Sequence, residues 1–432
     1  MPDKAQTFRA FGNTIKNGTA AFPGRYRRSI MEQLIALERK YCADNYAPLP
    51  VVLHSGAGAW LTDIHGKRYL DLMSAYSATS FGHGHPRLLA ALTRQAATLA
   101  MTSRAYYTDQ LGPFLQRLCE LTRMDRALPM NTGAEAVETA IKAARKWGYE
   151  VKGIAPDRAQ VIVCAGNFAG RTTTIIGFSS EAQYRAGFGP FSPGFVTVPF
   201  GDAAALEAAI TPDTAAFIVE PIQGEGGIIV PPDGYLAECR ALCTQHDVLL
   251  ICDEVQTGLG RTGRLLASDF EGVHPDGLVL GKALGGGLLP VSAFLARHDV
   301  MSVFRPGDHG STFGGNPLAS AVGLAALDLL EEEKLAQRAH VMGAMLMDGL
   351  RALRHPAIRD LRGRGLLIGM ELDPAHISAR DFCERLMERG ILSKDTHGTV
   401  VRLAPPLIIS EQEVGIAVAA FAAILHDIGI AA

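Results

Sequence analysis

Three residue groups in this sequence have types and spacing that could do chemistry together. The stretch "DGLVLGKALGGGLLPVSA" (276–293) sets Lys282 between an apolar run and a series of glycines, as the only charge between Asp276 and Arg297. A solvated lysine needs no such surroundings, whereas an amine that must meet a ligand beside the backbone does. "LLICDEVQTG" closes an apolar run on Asp253, and a buried carboxylate there needs a cation or hydrogen-bond donors. An acid capping the following helix is the plainer alternative for Asp253. "MNTGAEAVETAIKAARKWG" has Val137, Ile141, Ala144 and Trp147 at helical spacing, with Thr132 and Glu135 placed as a capping box. Its Thr132–Gly133–Ala134 turn offers free N–H groups and the positive end of a helix to an anion. A P-loop does not fit, because no Gly-x-x-x-x-Gly-Lys-Ser/Thr occurs and Ala283 follows the lysine.

The elements that must hold these groups follow from the pattern. From about residue 100 to 300, apolar runs such as "QVIVCAG" (160–166), "AAFIVEPI" (215–222), "VLLICDE" (248–254) and "GLVLGK" (277–282) alternate with helical stretches such as "PDGYLAECRALCTQHD". That alternation predicts an α/β domain with a mainly parallel sheet. Ligands bind beyond the carboxyl ends of such strands, which puts Glu220, Asp253 and Lys282 at the right edge. Before this region, "SIMEQLIALERKY" reads as a helix, and "VVLHSGAGAWLTDIHGKRYLDLMS" as an antiparallel meander turning at Asp63–Gly66. After it come a long helical run near 317–354 and then "IRDLRGRGLLIGMEL", "ARDFCERLMERG" and "VVRLAPPL" as strand, helix, strand. The expected division is an arm, helix and meander over 1–76, a large domain over 77–334, and a small α+β domain over 335–432. Ser410 and Glu413 form a second capping box, opening a terminal helix.

Composition sets outer bounds. The chain has 432 residues, 41 basic and 44 acidic, for a net charge of −3. Nothing in that balance suggests a nucleic-acid footprint or a polybasic membrane surface. The seven cysteines contain no Cys-x-x-Cys and read as reduced residues of a cytosol-like compartment. No apolar stretch reaches the ~18–20 residues of a spanning helix. Residues 4–31 carry Lys4, Arg9, Lys16, Arg25, Arg27 and Arg28 and no acid. They read as a basic surface arm, with a mitochondrial presequence as the alternative. His83 and His85 in "GHGHP" have no acidic or thiol cluster beside them in the sequence, so no metal site is expected.

An anion cup, an acid and a lysine together are what pyridoxal phosphate requires. A helix N-terminus holds the phosphate, an acid keeps the ring nitrogen protonated, and a lysine forms the Schiff base. In combination, "NYAPLPVVL", "SAYSA", "LPMNTGAEA", "GNFAGRT", "VEPIQGEGG", "DEVQTGLGRTG", "LGKALGGG", "HGSTFGGNP" and "VRLAPPL" make the chain resemble the class III pyridoxal-phosphate aminotransferases of fold type I. Within that family it is similar to the ornithine δ-aminotransferases, over about Tyr41 to Leu407. The resemblance implies a seven-stranded, mainly parallel large-domain sheet and a homodimer.

The resemblance also implies residue roles. Lys282 is the Schiff-base lysine and then the general base, and Asp253 partners the ring nitrogen. Gln256 contacts the cofactor's phenolic oxygen, Phe168 stacks on its ring, and Thr132, Gly133 and Ala134 cradle the phosphate. Thr312 reaches the phosphate of the neighbouring subunit. Arg171 takes the α-carboxylate of ornithine, and Arg402 the carboxylate nearest the ring in glutamate or 2-oxoglutarate, each as a planar fork. Glu225 masks Arg402 when ornithine binds. Tyr46 and Tyr76 line the α-amine end, a pair that relatives acting on acetylornithine or 4-aminobutyrate generally lack. Ala169 stands where relatives carry His or Trp. The implied reaction is ping-pong transfer of the terminal amine of L-ornithine to 2-oxoglutarate. The alternatives are a class III aminotransferase for acetylornithine, 4-aminobutyrate or lysine, or a fold-type-I racemase or aminomutase.

Overall fold

The apolar runs that end on Glu220, Asp253 and Lys282 become neighbouring strands of one sheet. The computed structural model describes residues 24–429. The basic segment expected over residues 4–31 therefore lies largely outside the described residues. Two units pack internally: the described residues to Ser55 with Leu61–Arg68, and Gly56–Trp60 with the chain from Tyr69 on. The first holds the helix Gly24–Tyr41 and the turn at Asp63. There Asp63 Oδ1 accepts from the amides of His65 (2.8 Å) and Lys67 (2.9 Å). The early strands fall where the pattern puts them: β1 (Leu53–Ala57), β2 (Trp60–Asp63) and β3 (Arg68–Asp71).

The second unit is built on β4 (Arg126–Met130), β5 (Gln160–Cys164), β6 (Phe195–Val198), β7 (Thr214–Val219), β8 (Leu249–Asp253), β9 (Gly277–Leu280) and β10 (Ser292–Ala296). They form a seven-stranded sheet in the order β4-β10-β9-β8-β7-β5-β6. β10 runs antiparallel to both neighbours, and the pairings from β9 to β6 are parallel. This is the α/β architecture expected. The parallel strands read as unbroken apolar runs because both faces are covered. Val161, Val163, Ile218 and Ile251 pack with Val137, Ile141 and Trp147 of the helix Gly133–Trp147 on one face. Their chain neighbours Ile162, Cys164, Phe217 and Cys252 pack with Leu236, Cys239 and Cys243 of the helix Tyr235–Gln245 on the other. Each fully buried aliphatic side chain contributes about 1.5–3 kcal/mol.

The C-terminal part departs from the pattern in two places. "IRDLRGRGLLIGMEL" is not one strand but a hairpin of β11 (Ile358–Arg364) and β12 (Leu367–Leu372). Gly365 turns it at φ +56°, so close to the Thr262 backbone that a Cβ would lie 2.3 Å from its carbonyl carbon. The long helical run splits into Pro317–Glu332 and Leu335–Arg351, because Lys334 takes a left-handed conformation at φ 51°. β13 (Ile391–Leu392) pairs with β3, while β14 (Lys394–Thr396) and β15 (Val400–Leu403) complete a second sheet, β11-β12-β15-β14. The expected capping box opens the helix Glu411–Ile428, and Trp60 Nε1 donates to Glu413 Oε1 at 2.6 Å. Among the described residues no helix is long and apolar enough to cross a membrane.

Candidate active site

The three groups singled out by residue type converge on Val255. A Cβ on Gly133, at the start of the Gly133–Trp147 helix, would lie 3.2 Å from Val255 Cγ1, and one on Gly281 would lie 3.3 Å from the same atom. The Val255 amide donates to Asp253 Oδ1 at 3.0 Å. Helix start, acid and lysine loop therefore share one wall. The Thr132 cap is complete: its Oγ1 accepts from Glu135 N (3.2 Å), and Glu135 Oε2 accepts from Thr132 N (2.9 Å). Gly133 and Ala134 stand in the first turn, where amides have no acceptor within their own helix.

Lys282 is half-buried and sits at φ 46°, a left-handed conformation that costs a non-glycine residue free energy and recurs at functional sites. Burial lowers its ammonium to about 8; Glu225 opposes the fall, Arg402 adds to it, and Asp253 and Glu220 oppose it from farther off. Asp253 is buried, and that burial raises its carboxyl to about 6 against the Val255 amide and Lys282. Glu220 is pushed up to about 8, first by burial and then by the like charge of Asp253.

A lysine so depressed is half neutral near pH 8. Capture of an aldehyde by the cofactor-free chain is therefore expected to accelerate about tenfold per pH unit up to pH 8 and then level off. Stopped-flow absorbance with pyridoxal phosphate measures this. A rate still climbing tenfold per unit at pH 10 would mean that Lys282 is an ordinary surface amine.

Arg402 on β15 is fully buried and forked onto one acid. Its Nη1 reaches Glu225 Oε1 at 2.6 Å and its Nη2 reaches Oε2 at 2.7 Å. Burial alone would raise Glu225; the Arg402 bonds and charge instead carry it down to about 2. Gln256 Nε2 donates to Glu225 Oε1 at 3.2 Å, and Gln256 Oε1 is buried without a partner. Gly224 lies so near this amide that a Cβ would sit 2.1 Å from Gln256 Oε1, so any side chain there would displace the Gln256 amide. The ring of Tyr76 lies 5.1 Å from the Arg402 guanidinium carbon. Tyr76 belongs to four consecutive residues, Ser74 to Ser77, with φ between 46° and 74°. Such a run is costly for residues with a Cβ. It is held by Asp71, whose Oδ1 accepts from the amides of Met73 and Ser74 and whose Oδ2 pairs with His83 at 2.8 Å.

Arg171 is exposed, with its guanidinium carbon 3.5 Å from the centroid of the Tyr184 ring and 5.5 Å from that of Phe168. Stacking leaves the edge of the fork open for a carboxylate. Phe168 and Tyr184 meet edge to face at 6.3 Å. Ala169 packs beside the core on the helix side of the sheet. Two further expected residues are exposed. Thr312 is exposed on a loop tied through Ser311 Oγ, which accepts from Asn131 Nδ2 at 2.9 Å. Tyr46 lies in the other unit, where it is exposed.

Sequence reasoning missed several residues. Tyr184 carries no motif. Glu220 was noticed only as a strand end. Arg261, fully buried with no acid in contact, donates to Leu366 O (3.0 Å), Pro405 O and Ser80 Oγ (2.9 Å). It thereby braces the Tyr76 turn against the segment that follows Arg402. Among the described residues no cluster of metal-ligating side chains occurs.

A buried acid, a depressed lysine and an anion-ready helix start near the carboxyl edge of the large sheet, with the Arg402–Glu225 fork acting on the same lysine, are what a transaminase on an α/β fold requires. Residues 41–425 match the aminotransferase class-III family, and the chain belongs to it. An ornithine aminotransferase of Exiguobacterium is 55% identical over 397 residues, spanning 92% of this chain and 98% of that protein. The crystal structure of the ornithine aminotransferase from Toxoplasma gondii ME49 superposes with a TM-score of 0.91 at 48% identity, covering 95% of this chain and 99% of that one. An acetylornithine aminotransferase from Elizabethkingia anophelis gives a TM-score of 0.84 at 46% identity, covering 92% and 99%.

The enzyme is pyridoxal-phosphate-dependent, and the residues present fit that group. A buried acid without a cation in contact, a buried amide acceptor without a partner, and first-turn amides free for an anion all lie around Lys282.

Proposed function

We propose that this enzyme transfers the terminal amine of L-ornithine to 2-oxoglutarate, giving glutamate 5-semialdehyde and glutamate. The observation that carries this reading is the closed Glu225–Arg402 fork beside Lys282. The oxo acid carries a carboxylate next to its reacting carbon and needs an arginine there. The δ-carbon of ornithine carries none. A bare Arg402 would draw in the α-carboxylate of ornithine and present the wrong amine. Glu225 covers the cation for one partner and releases it for the other.

When bound, pyridoxal phosphate supplies an electron sink for the pair left behind as a C–H proton departs. The chain's own residues do the rest. Gly133 and Ala134 would hold the phosphate through their amides. Asp253, kept from other cations by burial, would hold a proton on the ring nitrogen, and Phe168 would lie against the ring. Gln256 Nε2 has a second hydrogen, beyond the one given to Glu225, for the phenolic oxygen. Lys282 Nζ, as the neutral amine that burial favours, would take the proton from the amine-bearing carbon of the donor and hold it for return. Arg171 takes the far carboxylate of ornithine. The tyrosines of "NYAPLP" and "SAYSA", Tyr46 and Tyr76, support by their sequence motifs a donor with a free α-amine over acetylornithine or 4-aminobutyrate.

Thr312, exposed on its tethered loop, serves the phosphate site of a second copy, so the working unit is a homodimer. Seven free cysteines, five of them buried, support a reducing, cytoplasmic setting. The experiment supplies ornithine, acetylornithine and 4-aminobutyrate in turn with 2-oxoglutarate. Ornithine is expected to give the highest kcat/KM, and a preference for either rival would replace this reading.

A further inference from the structure

Two loops flank the site, and one acid with no task in the chemistry above ties them together. Glu220 follows β7, next to the strand that ends on Asp253, with Val219 in register with Cys252. Its Oε1 accepts from the Phe168 amide at 2.9 Å and its Oε2 from the Gly224 amide at 3.1 Å. Three residues on, Gln223 Nε2 donates to Ala165 O at 2.7 Å. The loops run so close that a Cβ on Gly226 would lie 3.0 Å from Gly166 O.

One loop carries Phe168 and Arg171, the other Glu225. The two Glu220 oxygens are thus committed one to each loop. A carboxyl group keeps a lone pair on both oxygens in either protonation state, so it can accept twice. A carboxamide of the same shape cannot, because its NH2 would face an N–H. Placing a second acid beside Asp253 has an electrostatic cost, and no structural need calls for it, since a turn amide can be satisfied by water or a neutral side chain.

We propose that Glu220 is a positioning residue for donor choice. It fixes the spacing of the Arg171 loop from the Glu225 loop, so that Glu225 stays forked on Arg402 while the far carboxylate of ornithine occupies Arg171. This role rests on the ornithine reading given above.

The test compares the two products that ornithine can yield in the holoenzyme: glutamate 5-semialdehyde from the δ-amine and 5-amino-2-oxopentanoate from the α-amine, separated by chromatography with mass detection. In Glu220→Gln, the α-to-δ ratio is expected to rise at least about tenfold, since misplacing a binding group by an ångström costs up to about 10²-fold in rate. A general loss of folding or cofactor lowers both products together. A ratio unchanged in Glu220→Gln therefore overturns the proposal. Should that variant not fold, Gln223→Leu, which cuts only the tie to Ala165, decides. A rise of about threefold or more in its ratio supports the role, and no change overturns it. Wild-type protein that makes neither product overturns the ornithine reading itself, and this role with it.

Discussion

Lys282→Ala is expected to lower turnover by at least about 10⁴-fold while leaving the fold intact. A positioned general base alone contributes about 10²–10⁴-fold, and in the role proposed for it this lysine would also supply the amine that anchors the cofactor. Most buried charges cannot be removed without orphaning a partner. Lys282 differs: Glu225, Arg402, Asp253 and Glu220 act on it by charge alone, with no hydrogen bond among the main contributions. Its truncation leaves no bonded group unsatisfied, so the melting temperature should hold while kcat collapses. Steady-state rates with ornithine and 2-oxoglutarate, beside a thermal melt, check both halves. Activity within tenfold of wild type would remove Lys282 from the chemistry.

Glu225→Ala is expected to change which amine reacts. The substitution removes both bonds to Arg402 and leaves a fully buried guanidinium uncompensated, at a cost of about 3–5 kcal/mol. An incoming carboxylate can recover that cost. The variant should melt earlier without ligand and gain more from 2-oxoglutarate than wild type does. Its α-to-δ product ratio from ornithine should rise on the order of 100-fold, the lower end of that energy expressed as a rate ratio. An unchanged ratio would mean that Glu225 is not the mask. The Glu225–Arg402 pair itself holds at every working pH. Glu225 is depressed to about 2, so the stability it contributes is complete above its ordinary value near 4.5. That stability is lost only as pH falls from there through about 2.

Much of this site was legible because the sheet places it by rule. Strands buried on both faces read as unbroken apolar runs, and the polar residue ending each run marks the ligand edge, which is how Asp253 and Lys282 stood out. The two capping boxes were equally plain, since their partners lie three residues apart. Pairs distant in sequence were not readable from spacing. Glu225 and Arg402 are 177 residues apart, and only the family resemblance linked them. The left-handed turn under Tyr76 carries no glycine or asparagine to announce it; Asp71, itself paired with His83, holds it through the amides of Met73 and Ser74. Nothing in "GRTG" marks Arg261 as buried, yet it is fully buried and bonded to a hydroxyl and two carbonyls from distant segments. The β11–β12 hairpin was read as one strand although Gly363 and Gly365 interrupt the run; the turn at Gly365 packs closely against the Thr262 backbone.

The most direct measurement of the central claim is product identity. Purified enzyme with pyridoxal phosphate, ornithine and 2-oxoglutarate should form glutamate and the cyclised product of glutamate 5-semialdehyde in a one-to-one ratio, and ornithine labelled with ¹⁵N at its δ-amine should pass that label to glutamate. Label passing instead from the α-amine, or turnover only with acetylornithine or 4-aminobutyrate, would contradict the account.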